Sequence, residues 1–161
     1  MIAVIRDFWR HWRAVSERVL RDRLFWLALV LAAGVAAMAA GLSGAAPSVA
    51  WVWQEPQWFL WMVLLFPVLE ELVFRGAIQG GLLRLPAMRR AWLGLTGANG
   101  LTSILFVLMH LVYNPVWHAL SVFVPSLVFG WFRDRHRSVL PAILLHVLFN
   151  LMWFVAWGQN L

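Results

Sequence analysis

Five ionisable side chains lie within stretches of the sequence that are apolar enough to cross a lipid bilayer. They are two acids, one guanidinium and two imidazoles: Glu70, Glu71, Arg75, His110 and His146. A charged side chain at the bilayer centre costs roughly 2.5–3.5 kcal/mol on insertion scales, so such residues persist where they pair, line a wet cavity or do chemistry. Acids and imidazoles together can move protons to and from water, which indicates a hydrolytic site.

The spacing within each stretch predicts which of these side chains meet. Glu71 and Arg75 are four residues apart and should form an ion pair on one helix, whereas Glu70 lies about 100° away around that helix. Two adjacent carboxylates in a medium of low dielectric constant do not ionise equally easily. One paired acid beside one unpaired acid suits general acid–base work, and His110 could complete a water-activating pair with Glu70.

The last apolar stretch carries a second pair of polar residues at helical spacing. His146 and Asn150 are four residues apart and share a face, so a ring nitrogen and an amide point to one place between helices. Two donors converging on one point can stabilise an oxyanion. At about 1.5 Å per residue from the basic ends of their helices, Glu70, His110, His146 and Asn150 lie roughly 12–20 Å deep, which predicts a single layer near the bilayer centre.

The composition defines the class of protein. The 161 residues are 63% hydrophobic and 12% charged, whereas a soluble domain is about 45–50% apolar and about 25% charged. The net charge of +6 comes from 13 arginines without any lysine. No soluble stretch is long enough to form a nucleic-acid-binding domain, so anionic lipid headgroups are the expected partner of this charge. Cysteine is absent, which excludes disulfides and thiolate zinc sites.

Hydropathy predicts an all-α, polytopic membrane helix bundle of about five transmembrane helices behind an N-terminal amphipathic helix. Residues 1–23 form a basic amphipathic segment expected at the membrane interface, with an ordinary basic flank as the alternative. Residues 24–56 hold the first transmembrane helix and an outer loop, and residues 57–161 hold a four-helix catalytic core. The predicted spans cover residues 24–42, 57–83, 99–113, 116–132 and 138–157.

The arginines predict the orientation of these spans. All of them except Arg75 fall in the N-terminal segment, in the loop over 84–90 or in the loop over 133–137. Five spans put these three regions on one side, and the other side carries Glu55 and no arginine. The positive-inside rule then predicts a cytoplasmic N-terminus and an external C-terminus. Abundant arginine without lysine hints at a GC-rich bacterial genome, so the expected location is a bacterial cytoplasmic (inner) membrane.

Three short motifs follow one another along these spans: Glu70-Glu71-x-x-x-Arg75, Phe106-x-x-x-His110 and His146-x-x-x-Asn150. In this order, over about residues 57–158, the sequence resembles the CPBP family of intramembrane proteases, which includes the CAAX-protease and bacteriocin-processing (Abi) proteins. That family usually has eight spans, whereas five are predicted here. The compact form resembles the members linked to C-terminal sorting tags of bacterial surface proteins, the JDVT-CTERM type.

The resemblance implies a glutamate-type protease and a role for each motif residue. Glu70 would activate the attacking water with the help of His110, and His146 with Asn150 would stabilise the oxyanion. The resemblance implies no catalytic metal, in agreement with the absence of a His-Glu-x-x-His helix. Zinc held by the histidines and glutamates is the alternative.

Three further residues are expected to support the site. Glu71 and Arg75 would hold Glu70 and the shape of the site, either as a purely structural pair or with a direct part in catalysis. Phe106 is expected to pack at the wall of the site. Ser43 lies in a Gly-x-Ser-Gly pattern typical of rhomboid serine proteases, but it falls at the outer end of the first span in a loop of small residues, which argues against a nucleophile.

The leading functional prediction is an intramembrane endopeptidase that cleaves a membrane-associated protein tail or leader, with a C-terminal sorting tag as one candidate substrate. The alternative from another class is a non-catalytic bacteriocin-immunity or binding protein on the same scaffold. A proton-coupled carrier is a third reading, because buried Glu and His chains also relay protons. Five spans without an internal repeat argue against a carrier.

Overall fold

The chain folds into a helix bundle, and the predicted all-α membrane architecture is confirmed. The computed structural model describes residues 12–157, of which residues 12–20 are helical (α1). The other helices are α2 (Arg23–Ser43), α3 (Trp51–Gln54), α4 (Pro56–Leu82), α5 (Gly97–Tyr113), α6 (Val116–Ser121), α7 (Phe123–His136) and α8 (Leu140–Trp157). Within the described part, α2, α4 and α8 are long and apolar enough to cross a membrane, and α5 is a shorter apolar helix. Residues 1–11, the first half of the predicted amphipathic segment, lie outside the described residues.

Local capping groups explain where the predicted spans begin. Asp22 accepts a hydrogen bond from the Leu24 amide at 3.1 Å, so α2 begins within one residue of the prediction. Thr96 caps α5 by accepting from the Asn99 amide at 3.0 Å. For this reason α5 begins two residues before the predicted position 99. Short polar side chains therefore fix both starts.

The fourth predicted span is not one helix. The chain bends at Val122 between α6 and α7, close to Pro125, whose ring nitrogen cannot donate a helical hydrogen bond. Residues 133–137 do not form the predicted basic loop, because α7 continues to His136. Cationic side chains in a last helical turn interact favourably with the helix dipole, which explains the longer helix.

The loop between α4 and α5 carries a small hairpin instead of irregular chain. A 3₁₀ turn over Pro86–Arg89 leads into β1 (Ala91–Trp92), which pairs antiparallel with β2 (Leu95–Thr96). The two central residues of the turn, Leu93 and Gly94, have φ values of 51° and 81°. A tight two-residue hairpin turn requires this left-handed backbone.

Helix α8 packs against α2, α4 and α7, and α5 packs against α4 and α7. Small residues permit the closest contacts: Ala36 and Ala40 of α2 face Ala156 of α8, as is common between membrane helices. Gly130 of α7 is needed where α7 meets α5, because a Cβ at this position would overlap the Asn99 side chain. The main core is built from nine buried residues of α1, α2, α7 and α8: Val15, Val19, Phe25, Leu29, Phe129, Phe132, Leu140, Ala142 and Leu145.

Helix α4 contains two π-helical stretches, over Leu60–Leu65 and Leu72–Gln79. The wider turn of a π-helix is rare and occurs frequently at functional sites. The second stretch begins directly after the two adjacent glutamates. It contains Arg75 and Gln79, which are both fully buried, as is Glu71. Polar residues at four-residue intervals thus face the interior of the bundle along one side of α4.

Asp22 joins the start of α2 to the end of α7. Its Oδ2 accepts from Arg135 Nε at 2.6 Å and from His136 Nε2 at 2.9 Å. Burial opposes the charge of Asp22, but hydrogen bonds from Arg135, the Leu24 amide and His136, with the charge of Arg135, outweigh it and hold the pKa of Asp22 below its usual value. This contact brings the N-terminal region and the 133–137 region to one end of the bundle.

We expect Asp22→Asn to lower the free energy of unfolding by about 1–2 kcal/mol, because charge-assisted hydrogen bonds are lost while the helix cap is retained. A lowered pKa in the folded state means that the carboxylate stabilises the fold above about pH 4 and that this contribution is lost as the pH falls through the folded-state pKa. Thermal unfolding of the detergent-solubilised protein at pH 7 and at pH 3 measures the loss of stability in the variant and its dependence on pH. The exposed Glu17 supplies the control, Glu17→Gln, and equal losses in the two variants would contradict the role of Asp22.

Candidate active site

Glu71 lies at the centre of a buried cluster, and the predicted ion pair with Arg75 is confirmed. The side chains of Glu71 and Arg75 have no exposed surface, and Arg75 Nε lies 3.1 Å from Glu71 Oε2. The other carboxylate oxygen of Glu71 accepts from His146 Nδ1 at 2.9 Å. Helices α4 and α8 are therefore joined by a chain of three ionisable groups.

Glu70 differs from its neighbour in both exposure and partners. Its side chain is 24% exposed, and its Oε2 lies 3.7 Å from His146 Nε2, which is longer than a hydrogen bond. No arginine forms an ion pair with Glu70 within residues 12–157. One acid of the adjacent pair is thus partly exposed with only a long contact to His146, whereas the other is enclosed and paired with Arg75, as the four-residue spacing predicted.

His146 is the group that joins the two acids, and the sequence did not reveal this. It is 7% exposed, and its ring stacks on Phe129 with centroids 5.0 Å apart and an interplanar angle of 24°. Because Nδ1 donates to Glu71, Nε2 is the nitrogen that faces Glu70. The ring is fixed from two sides, and when Nε2 carries a proton it can donate to an oxygen beside Glu70.

His110 presents one free ring nitrogen. Its Nδ1 lies 3.0 Å from the Phe106 carbonyl oxygen, and a carbonyl can only accept, so Nδ1 carries the proton and Nε2 can accept one. The Phe106 ring contacts the rings of both His110 and His146, at centroid distances of 4.4 and 5.9 Å. In the described range, no hydrogen bond or ion pair joins His110 to Glu70 directly.

Asn150 is partly committed to the backbone of α4. Its Nδ2 donates to the Met62 carbonyl at 3.0 Å, within the first π-helical stretch. An amide nitrogen carries two hydrogens, so one donor remains. Asn150 therefore ties α8 to α4 and still has one N–H to offer.

A hydrogen bond from Arg75 to Ser126 was not anticipated from the sequence. Arg75 Nη2 donates to Ser126 Oγ at 2.8 Å, and both residues are fully buried. The guanidinium also lies 5.3 Å from the centre of the Phe106 ring, a cation–π distance. Ser126 and Phe106 therefore hold the arginine that neutralises Glu71. The sequence feature that could have indicated this contact is a serine within the apolar fourth span.

Polar contacts continue from Arg75 towards the arginine-rich end of the bundle. Gln79 Nε2 donates to the Gly130 carbonyl at 3.0 Å and to Asp134 Oδ1 at 2.9 Å. Asn99 Nδ2 donates to the Leu127 carbonyl at 2.9 Å. Gln79 follows Glu71 and Arg75 at the same four-residue spacing, so the sequence could have predicted that it lies on the same buried side of α4.

Ser43 fits the geometry of a catalytic nucleophile poorly. Ser43 Oγ donates to the Ala40 carbonyl at 2.9 Å, and it has no histidine partner among the described residues. At the acid pair, Glu71 already faces the Arg75 guanidinium, whereas Glu70 has no arginine partner among residues 12–157. Across residues 12–157, no group of three or more histidine, cysteine, aspartate or glutamate side chains could hold a metal ion.

An accessible acid, an ion-paired acid and two imidazoles lie within a membrane helix bundle, and such a set of groups is suited to moving protons during hydrolysis. The family described as Type II CAAX prenyl endopeptidase Rce1-like matches residues 51–152, a range that contains every predicted site residue. The chain belongs to this family, and it is a membrane protease that acts on membrane-associated peptides or proteins. No match was found among curated proteins or among solved structures.

Proposed function

We propose that the protein is an intramembrane endopeptidase of the glutamate type, in which Glu70 activates the water that attacks the peptide bond. The observation that carries this proposal is the contrast between the two adjacent acids. Glu70 is partly exposed and has no arginine partner among the described residues, whereas Glu71 is enclosed and paired with Arg75. The free acid is available to take and return a proton, and the paired acid holds the ring of His146.

In the proposed reaction, water attacks the carbonyl carbon while Glu70 takes its proton, assisted by the free Nε2 of His110. The oxyanion that forms accepts hydrogen bonds from the second N–H of Asn150 and from His146 Nε2. Because Nδ1 of His146 donates to Glu71, this step requires a His146 ring with a proton on both nitrogens. When the C–N bond breaks, Glu70 returns the proton to the leaving amine. The products are a new carboxylic acid, which releases its proton to solvent, and a new amine, and Glu70 regains its starting state.

The proposal includes hydrolysis without a metal cofactor. Arg75 already supplies the cation next to the carboxylate of Glu71, and a divalent ion beside it would be repelled by the buried guanidinium. The proposed location is the cytoplasmic membrane of a bacterium, with the arginine-rich end of the bundle in the cytoplasm. The proposed substrate is a protein tail or leader near the membrane, including a C-terminal sorting tag.

Cleavage of membrane-anchored tails by membranes that contain the protein tests this proposal. A tail with a sorting tag and a prenylated CAAX tail are compared, and the new termini are identified by mass spectrometry. We expect endoproteolytic products that form at equal rates with the wild type, with Ser43→Ala and with a chelator of divalent metals. Loss of activity in Ser43→Ala would indicate a serine protease, and loss with the chelator would indicate a metalloprotease.

Ser126 is expected to act as a positioning residue through Arg75. Ser126→Ala removes the acceptor of a buried guanidinium N–H, so we expect kcat to fall about tenfold while KM changes little. Ser103→Ala is the matched control, because Ser103 is equally buried but bonds to Asn99 instead of Arg75. Unchanged kcat in Ser126→Ala, or the same loss in both variants, would contradict the positioning role, and Ser126→Thr should restore activity.

A further inference from the structure

A pocket lies at the arginine-rich end of the bundle, and none of the candidate active-site residues lines it. It forms where the end of α4, the hairpin and the end of α7 meet, and its volume is about 530 Å³. Six residues line it: Leu83, Arg89, Thr96, Arg133, Asp134 and Arg137. The turn after α4 and the end of α7 therefore contribute arginines to a single concave surface.

The single acid of this pocket is fully engaged by its neighbours. Asp134 Oδ1 accepts from Gln79 at 2.9 Å and from Arg133 Nη1 at 3.1 Å. Its Oδ2 accepts from Thr96 Oγ1 at 2.8 Å. Asp134 thus neutralises Arg133, whereas Arg89 and Arg137 form no ion pair within residues 12–157. Three arginines and one aspartate leave the pocket with a net charge of +2.

Two of the arginines are held in place before any ligand binds. Arg89 Nε donates to the Leu83 carbonyl at 2.5 Å and Nη2 lies 3.4 Å from the Arg84 carbonyl, so Nη1 remains free. Arg133 is 19% exposed and donates from Nε to the Arg75 carbonyl at 3.2 Å. A preorganised guanidinium loses little conformational entropy on binding. Planar guanidinium groups match the oxygens of phosphate well.

The surroundings of the pocket indicate where such a phosphate would come from. The pocket adjoins the last turns of α4 and α7, where apolar spans give way to basic residues, which is the depth of lipid headgroups. Exposed apolar side chains flank it along the chain, namely Leu85 at 53%, Trp92 at 79% and Leu93 at 81% exposure. Basic pockets on the cytoplasmic side of membrane helices bind anionic headgroups.

We propose that this pocket binds a phosphate group, supplied by the headgroup of an anionic phospholipid. The free donors of Arg89 and Arg137 contact the phosphate oxygens, and the acyl chains lie along the apolar residues that flank the pocket. Arg133, which lines the same pocket, donates to the Arg75 backbone, so the pocket adjoins the contact between α4 and α7. The proposal stands independently of the proteolytic mechanism.

Thermal unfolding of the purified full chain in detergent tests the site, with phosphatidylglycerol, phosphatidylcholine or inorganic phosphate added. We expect phosphatidylglycerol to raise the unfolding temperature and phosphatidylcholine to have little effect. The double variant Arg89→Gln/Arg137→Gln should bind phosphatidylglycerol at least about tenfold more weakly, since each arginine contributes about 1 kcal/mol near an anionic surface. The control Arg84→Gln/Arg90→Gln removes the same charge from exposed positions that do not line the pocket.

Each outcome decides the proposal. Weaker binding in the pocket variant alone supports a headgroup site. Equal weakening in both double variants would overturn it in favour of a diffuse surface charge. Equal stabilisation by inorganic phosphate and phosphatidylglycerol would overturn the lipid source and assign the pocket to a soluble anion. Equal stabilisation by the two lipids would overturn the requirement for charge.

Discussion

Glu70→Gln should lower the rate of peptide-bond cleavage about 10³-fold, the middle of the range for the loss of a general acid–base group. Glutamine keeps the size of the side chain but cannot take a proton from water. Because Glu70 is partly exposed and forms no ion pair with an arginine of the described part of the chain, removal of its charge should leave the fold intact. The measurement is cleavage of a membrane-anchored tail, with thermal unfolding recorded on the same preparation.

The matched control for this change is Glu55→Gln, the same substitution at an exposed position just before α4. It should retain full activity. Full activity in Glu70→Gln would mean that the buried acids are structural, and the glutamate mechanism would be wrong. Retained binding without cleavage in both the wild type and the variant would instead favour the alternative of a binding protein.

Arg75→Met should cause the largest loss of stability, about 3–5 kcal/mol, the usual cost of breaking a buried ion pair from one side. The change leaves the carboxylate of Glu71 without its cation in an environment where neither side chain is exposed. It also leaves Ser126 without its partner. Unfolding temperature in detergent and the yield of folded protein measure the effect.

A double variant separates the effect of the unpaired Glu71 charge from the effect of losing the packing of the Arg75 side chain. Glu71→Gln/Arg75→Met removes both charges, so its stability should recover to within about 1–2 kcal/mol of the wild type, since replacing both members of a buried pair is often nearly neutral. It should remain inactive, because His146 loses the carboxylate that orients it. An equal loss of stability in the single and double variants would contradict the ion pair as the source of the effect.

Contacts within one helix could be predicted from the sequence because helical geometry fixes them. The pair of Glu71 and Arg75 follows from a spacing of four residues, and the start of α2 follows from the cap at Asp22. The bend at Val122 was missed because a proline near the start of a helix is compatible with either a bend or a continuous span.

Contacts between helices could not be predicted in the same way. Helices that are apolar all round give no amphipathic pattern from which the inward side can be identified. The sequence predicted a pairing of His110 with Glu70, but it gave no indication that His146 lies next to both acids. The contact from Arg75 to Ser126 depends on how α4 and α7 are rotated about their axes, and the π-helical stretch over Leu72–Gln79 shifts that rotation.

The most direct test of the central claim is to measure cleavage and metal content together on the same purified protein. Wild type and Glu70→Gln are stripped with a chelator, and bound metal is quantified by mass spectrometry alongside the rate of product formation. A glutamate mechanism predicts a full rate for the wild type at substoichiometric metal and almost none for Glu70→Gln. A rate that rises in proportion to restored zinc, or one that survives in Glu70→Gln, would contradict it.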